Sequence, residues 1–139
     1  MSPREPEDPP LTGLLRTGAR GLCAAEAGTE LLIRHAAWLH RSDFRDRFVH
    51  LDTSIIDDTE IAAIDWPAAI TALDTGQLPC SGGEARLLRL AASLVVGIPV
   101  DLRHALVGLD SRNLDLFIQA VLHAAGRRPQ PHHALNDFA

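Results

Sequence analysis

Apolar residues recur with the 3.6-residue period of an α-helix over most of this chain. The first periodic stretch predicts a helix from about Leu14 to His40. Gly28 interrupts it and predicts either a break or a close helix crossing, while a start nearer Gly21 fits the pattern as well. Together with the later stretches, the pattern predicts five to six helices joined by short loops. We therefore expect an all-α fold, a compact orthogonal or mixed bundle.

Residues that favour helix N-caps mark where the later helices begin. The strongest signal is Ser81 followed by Glu84, a capping-box pattern placed directly before an apolar run. It predicts a helix from about Gly82 to Val96. The other predicted N-caps are Ser42, Asp65, Asp101 and Asp110.

The segment from Leu51 to Ile64 shows no clear period. Its acids Asp57, Asp58 and Glu60 interrupt the isoleucines, so the segment fits a loop, a helical turn or a short strand.

Two predicted helices are apolar on most sides, so other parts of the protein must pack against them. The Gly82–Val96 helix has only a narrow polar stripe and is predicted to lie at the centre of the fold. The last helix, after Asp110, is predicted to turn five residues inward: Leu114, Phe117, Ile118, Val121 and Ala125. Because both helices compete for cover in a small chain, we expect either a two-fold dimer or a monomer in which residues 51–64 supply it.

The length of 139 residues fits one domain. Residues 1–12 and 128–139 are predicted to be disordered tails, because they are rich in proline and polar residues, around a helical domain of residues 13–127. The N-terminus lacks the basic start and apolar run of a signal peptide, and no stretch reaches the roughly 18 apolar residues of a membrane span. With Cys23 and Cys80 interpreted as free thiols, we expect a cytoplasmic protein without membrane association.

A formal net charge of −5 without a basic block argues against non-specific nucleic-acid binding. The order of helices from Leu87 to Ala125 nevertheless resembles a helix-turn-helix arrangement, which reads DNA with exposed polar residues. The candidate contacts are Arg103, His104, Arg112 and Asn113. Asp101 and Asp110 lie beside them in the sequence and repel phosphate, which argues against DNA binding. A nucleic-acid-associated regulator is therefore the alternative function and not the leading one.

A metal or thiol enzyme is the second alternative. Five candidate ligands lie close together in the sequence: His35, His40, Asp43, Asp46 and His50. The spacing of Asp46 and His50 can place two ligands on one helical face. His35 and His40 are five positions apart and point in different directions, and the chain has no His-Glu-x-x-His or Cys-x-x-Cys motif. Cys80 precedes a predicted helix N-terminus, where the dipole lowers a thiol pKa. We expect packing or solvated roles for these residues, and no metal or other cofactor.

The segment CSGGEARLLRLAASL, followed later by GLD, resembles the signature helix of ATP-binding-cassette ATPases. In that family free N–H groups at the helix N-terminus meet phosphate. Such enzymes also need a phosphate-binding loop with a lysine, and this chain contains no lysine. We therefore interpret Ser81 and Glu84 as a helix cap.

Residues 78–126 resemble small uncharacterised helical proteins of high-GC actinobacteria, through the segments LPCSGGE, LRLAASL, GIPVDLRHAL and GLDSRN. This resemblance implies a helical fold unit and brings no known activity. Because the chain supplies a generous apolar core and no convergent reactive groups, the sequence predicts a non-enzymatic binding or interaction module. Its expected partner is another protein or a second copy of the chain.

Overall fold

The computed structural model describes residues 10–127, which form seven helices and one two-stranded hairpin. The helices are α1 (Leu11–Ala19), α2 (Cys23–His35), α3 (Ser42–Phe48), α4 (Trp66–Asp74), α5 (Gly82–Val96), α6 (Leu102–Val107) and α7 (Ser111–Ala124). The strands are β1 (Val49–Thr53) and β2 (Glu60–Ile64). The mostly helical class is confirmed, whereas the all-α prediction with five to six helices is corrected by the hairpin and the additional helix.

The predicted tails lie almost wholly outside the described residues. The exceptions are Pro10, Leu11 and Thr12, which were assigned to the N-terminal tail: Leu11 and Thr12 belong to α1, and Pro10 precedes it. Pro10 occupies the N-cap position of this helix, where its missing N–H costs no helical hydrogen bond. Within residues 10–127, no helix combines the length and the apolar composition needed to cross a membrane.

The predicted first helix is divided into α1 and α2. The break lies at Gly21, whose φ of 105° suits glycine because it has no Cβ. Gly28 lies inside α2, where an added Cβ would collide with the Val95 side chain and lie 2.7 Å from the carbonyl oxygen of Ala91. The close helix crossing predicted at Gly28 is thus confirmed, between α2 and α5.

The segment without a clear period forms most of the hairpin. The strands β1 and β2 pair antiparallel, with Val49 opposite Ile64 and Thr53 opposite Glu60. The inner strand β2 packs on α1, where Gly18 lies so close to the Ala62 carbonyl that no Cβ would fit. The outer strand β1 is mostly exposed.

Helix α5 lies at the centre of the fold, as predicted, and contacts α2, α4, α6 and α7. Its buried residues are Leu87, Leu88, Leu90, Ala91 and Ala92. Two buried tryptophans complete the core: Trp66 begins α4, and Trp38 lies between α2 and α3. The indole N–H of Trp38 donates to the Glu84 carbonyl at 3.0 Å, which ties this connection to the first turn of α5.

Helix α7 is oriented differently from the prediction. Its buried residues are Asn113, Phe117 and Ala120. Three residues predicted to face inward are instead 36%, 48% and 43% exposed: Leu114, Ile118 and Val121, respectively. A fourth, Ala125, lies at the C-cap of α7 and is also exposed. The cause is that α7 packs mainly on α2, so only one side of the helix is covered.

The predicted helix caps are confirmed with one exception. The Ser81 hydroxyl accepts from the Glu84 N–H at 3.2 Å, and the Glu84 carboxylate accepts from the Ser81 N–H at 2.8 Å. The carboxylates of Asp65, Asp101 and Asp110 likewise cap α4, α6 and α7. Ser42 is not an N-cap but the first residue of α3, which has no side-chain cap. The Asp43 carboxylate supplies an acceptor instead, by bonding the Phe44 N–H at 2.9 Å.

Candidate functional site

A groove of about 650 Å³ runs along α2 between α1 and α7, and we call it the α2 groove. Helix α2 forms its floor, and α1 and α7 form its walls. Its apolar surface consists of Ala19, Ala27, Leu31, Leu116, Ile118, Ala120 and Leu122. Small-molecule sites typically have volumes of roughly 300–1,000 Å³, so the groove has the size of a ligand site.

Polar contacts between helices fix the spacing of the α2 and α7 sides of the groove. The guanidinium of Arg34 on α2 donates to the Gln119 side-chain oxygen on α7 at 2.6 Å. At the other end, Glu26 Oε1 lies 3.3 Å from His123 Nε2. These two contacts require α2 and α7 to run antiparallel. Ala27 on α2 and Ala120 on α7 line the groove between them with small side chains, which leaves space in the groove.

The α1 wall is held by an ion-pair network centred on Glu30. This carboxylate accepts two hydrogen bonds from Arg16, at 2.9 and 3.0 Å, and one from Arg34 at 3.4 Å. The hydrogen bond from Arg16 is the largest cause that lowers the pKa of Glu30, against the opposing effect of burial. Because two guanidiniums share one carboxylate, the network carries one excess positive charge.

The charges around the groove are unevenly placed. Arg16 and Arg20 lie on the α1 side, and α1 itself contains no acid. Within residues 10–127, Arg20 takes part in no ion pair. The α7 wall carries Asp115 and no arginine that lines the groove. The α1 side is therefore the basic side of the α2 groove.

A second, polar cleft of about 510 Å³ lies where the N-termini of α5 and α7 meet the end of α2. Its polar lining residues are His35, Ser81, Glu84, Asp110, Arg112 and Asn113. Most of these groups already stabilise helix ends: Ser81, Glu84 and Asp110 are caps, and Arg112 donates to the Arg34 carbonyl at 3.1 Å. The cleft is therefore occupied largely by contacts that hold the fold together.

His35 is the unusual group of this cleft. Its Nδ1 atom is buried and has no hydrogen-bond partner within the described part of the chain. Burial, followed by the nearby Arg112 charge, lowers the pKa of His35, so the neutral imidazole is favoured.

The candidate nucleic-acid contacts do not form one exposed surface. Arg103 and His104 are exposed on α6. Arg112 is bonded to the end of α2, as described above. Asn113 is only 7% exposed, so its prediction as a surface contact is wrong. Its polar side chain lies on the face of α7 that packs inward, and residue type alone did not reveal this. Nucleic-acid binding itself stays a prediction.

The candidate metal ligands are dispersed in the fold. Asp46 lies on α3 but His50 lies on β1, so the expectation that both share one helical face is corrected. His35 belongs to the polar cleft. Over residues 10–127, no three His, Cys, Asp or Glu side chains, including those of His40 and Asp43, form a group that could hold a metal ion.

The two cysteines are free thiols, as predicted. Burial, and next the nearby Glu84 carboxylate, raise the pKa of Cys80. This is opposite to the shift expected from a helix N-terminus, because burial disfavours the charged thiolate and the Glu84 carboxylate repels it. A raised thiol pKa keeps Cys80 protonated and poorly nucleophilic at neutral pH.

Sequence reasoning missed the α2 groove. The Glu30–Arg34 spacing on one helix was visible, but the contacts that build the groove join distant positions. Arg16 and Glu30 are 14 positions apart, and Arg34 and Gln119 are 85 apart. No local pattern reports such pairs, so only the fold reveals them.

The comparisons with known proteins add no information about the groove. The resemblances of residues 78–126 and of the α5 segment therefore stay predictions, and the geometry of the groove carries the functional argument. The chain matches no protein-family model, no curated protein and no solved structure.

Proposed function

We propose that this chain is a non-enzymatic helical binding module whose ligand occupies the α2 groove. The observation that carries the proposal is an apolar surface, formed mainly by α7 with Ala27 and Leu31 of α2, that is bordered by polar side chains held in place by contacts between helices. Ligand sites are typically concave and mostly apolar, with a few placed polar groups that orient the ligand. Because the Arg16–Glu30 and Arg34–Gln119 contacts are made between groups of the protein itself, they order the rim, and binding requires little further ordering of it.

The state of the titratable groups supports binding rather than catalysis. A general base at neutral pH needs a pKa near 7. The pKa of Glu30 is lowered by its guanidinium partners, so this carboxylate is a weak base. The pKa of Cys80 is raised, which disfavours a nucleophilic thiolate. The free state of both thiols also supports a cytoplasmic location as part of the proposal.

Titration of the ¹⁵N-labelled full chain with indole, cyclohexanol and cyclohexanecarboxylate tests the proposed site. We expect at least one of these fragments to shift the backbone amide signals of Ala27, Leu31 and Gln119. Ile118→Glu should abolish the shifts, because it places a carboxylate on the apolar wall of the groove.

Val107→Glu is the matched control, since Val107 is 83% exposed on α6 and does not line the groove. It should leave the shifts unchanged. Shifts confined to residues outside the groove, or no shift with any fragment, would contradict the proposal.

A further inference from the structure

The α2 groove has an apolar body and a basic end. Arg20 lies near the turn at Gly21, where α1 ends and α2 begins. Arg16 lies one helical turn earlier on the same wall. Asp115 lies toward the other end of the groove, on the part of α7 that faces the C-terminal end of α2. Arg34 also lines this other end, but it is bonded to Glu30 and Gln119. Within residues 10–127, the groove arginine without a carboxylate partner is Arg20, at the end opposite Asp115.

The acids near the basic end are already engaged. Glu30 is bonded to Arg16 and Arg34. Glu26 accepts from the Gly21 N–H at 3.3 Å and lies 3.3 Å from His123 Nε2. The Arg20 guanidinium has no carboxylate partner within residues 10–127. A guanidinium presents several N–H donors in a plane that matches a carboxylate, so this end is suited to an anionic group.

The apolar side of the groove suits an aliphatic chain. From Glu26 to Arg34 the groove extends over eight helical steps of α2, or ~12 Å at about 1.5 Å per residue. A saturated chain of about ten carbons has a similar extended length, given C–C bonds of about 1.5 Å. The apolar surface along this length comes from Ala27 and Leu31 of α2 and mainly from α7, including Leu116.

We propose that the groove binds an aliphatic monoanion, with its carboxylate at Arg20 and Arg16 and its hydrocarbon chain along the apolar α7 side of the groove toward Leu116. This inference rests on the proposed function and adds the chemical class of the ligand. The orientation follows from charge, because Arg20 has no carboxylate partner within residues 10–127, whereas Arg34 at the other end is engaged by Glu30 and Gln119. Asp115 also lines that other end and disfavours a second carboxylate there.

Binding of three ligands that differ only in head group tests the inference on the full chain. Decanoate, 1-decanol and decyltrimethylammonium are titrated below their solubility and micellar limits, with backbone amide shifts as the readout. We expect decanoate to bind at least tenfold more tightly than either of the others and to shift Ala27 and Leu31. Arg20→Gln should weaken decanoate binding about three- to tenfold, because it removes one exposed charge-assisted hydrogen bond. Arg103→Gln, an exposed arginine on α6, is the matched control and should have no effect.

The outcomes separate the ligand class from the site. Binding of 1-decanol or of the cation in the groove as tightly as decanoate would overturn the anionic class and leave the proposed site in place. Equal decanoate affinity of Arg20→Gln and the unmodified chain would also overturn it. If decanoate shifts no groove amide while the fragments do, the class fails and the site again remains. If neither decanoate nor the fragments shift groove amides, the site and the ligand class both fail.

Discussion

Helices α5 and α7 are nearly equal in length, at 15 and 14 residues, and both are apolar on most sides, yet they occupy different environments. Helix α5 contacts four other helices and buries five side chains, and only at its end is a large apolar residue, Val96, about half exposed. Helix α7 packs mainly on α2 and leaves Leu114, Ile118 and Val121 partly exposed. A domain of this size has room for one central helix. Because α5 takes that position, α7 lies at the surface. Its uncovered apolar residues are then available to line a site, as Ile118 does.

The largest difference between the two helices should appear in core truncations. Leu88→Ala in α5 removes a fully buried side chain and should lower the free energy of unfolding by about 2–5 kcal/mol. Leu114→Ala in α7 removes a side chain that is 36% exposed and should cost less than about 1 kcal/mol. Urea unfolding followed by circular dichroism measures both variants. Equal losses would contradict the difference in cover.

The α2–α5 crossing should be sensitive to a single methyl group. Gly28→Ala should lower the free energy of unfolding by about 1–3 kcal/mol, because its Cβ meets the Val95 side chain and the Ala91 carbonyl. Gly13→Ala is the matched control in α1, where the nearest atom, on Pro10, is 3.9 Å away. It should stabilise the protein by up to about 1 kcal/mol, since alanine favours a helix. Thermal unfolding of the two variants should therefore shift in opposite directions.

Helix caps should not distinguish the two helices, because a cap acts locally. Ser81→Ala at α5 and Asp110→Ala at α7 should each lower the free energy of unfolding by roughly 0.5–2 kcal/mol. Ser111→Ala, at the first residue of α7, removes no cap and serves as the control. If removal of the cap lowers the free energy of unfolding severalfold less at α7 than at α5, then the partial exposure of α7 also weakens the end of the helix.

The free energy of unfolding should depend on pH through His35, which lies where the end of α2 meets the N-termini of α5 and α7. Burial lowers the pKa of His35 in the folded state below its unfolded value of 6.5, so the unfolded chain binds the proton more tightly. The His35 contribution to stability is therefore fully present above pH 6.5 and is lost as the pH falls from 6.5 through the folded pKa. His35→Asn should flatten the dependence of stability on pH below pH 6.5.

His40→Asn is the control, because His40 is exposed. Urea unfolding of both variants at several pH values makes the comparison. If the slope of stability against pH disappears in the His40 variant and persists in the His35 variant, the pH dependence does not come from His35.

Self-association through α7 should be the weakest effect. The exposed stripe of Leu114, Ile118 and Val121 is much smaller than the roughly 800 Å² per partner of a stable interface. We therefore expect light scattering to give a mass near 15.0 kDa at micromolar concentration, with a rise only in concentrated samples. A mass of about twice that value that persists on dilution, and that Ile118→Glu reduces, would show that a second copy covers α7.

Sequence predicted the parts of the fold that local chemistry specifies. Ser81 and Glu84 define the start of α5 through their own hydrogen bonds, and Asp65 does the same for α4. The hairpin was not assigned, because a strand is recognised in a sequence by alternating apolar and polar residues, and the segment Glu60–Ile64 that forms β2 does not alternate. The orientation of α7 was wrong because a helix that is apolar on most sides does not specify which side packs. The candidate site depends on contacts across helices, which no local pattern contains.

The two buried tryptophans have a spectroscopic consequence. The chain contains no tyrosine, so Trp38 and Trp66 dominate its near-ultraviolet fluorescence. Both indoles are shielded from water in the folded state, so their emission should shift to longer wavelength on unfolding. Neither lines the α2 groove, so a ligand there should leave the emission of the native protein unchanged. Fluorescence thus reports unfolding separately from binding, and a bound ligand becomes visible only through the higher denaturant concentration needed to shift the emission.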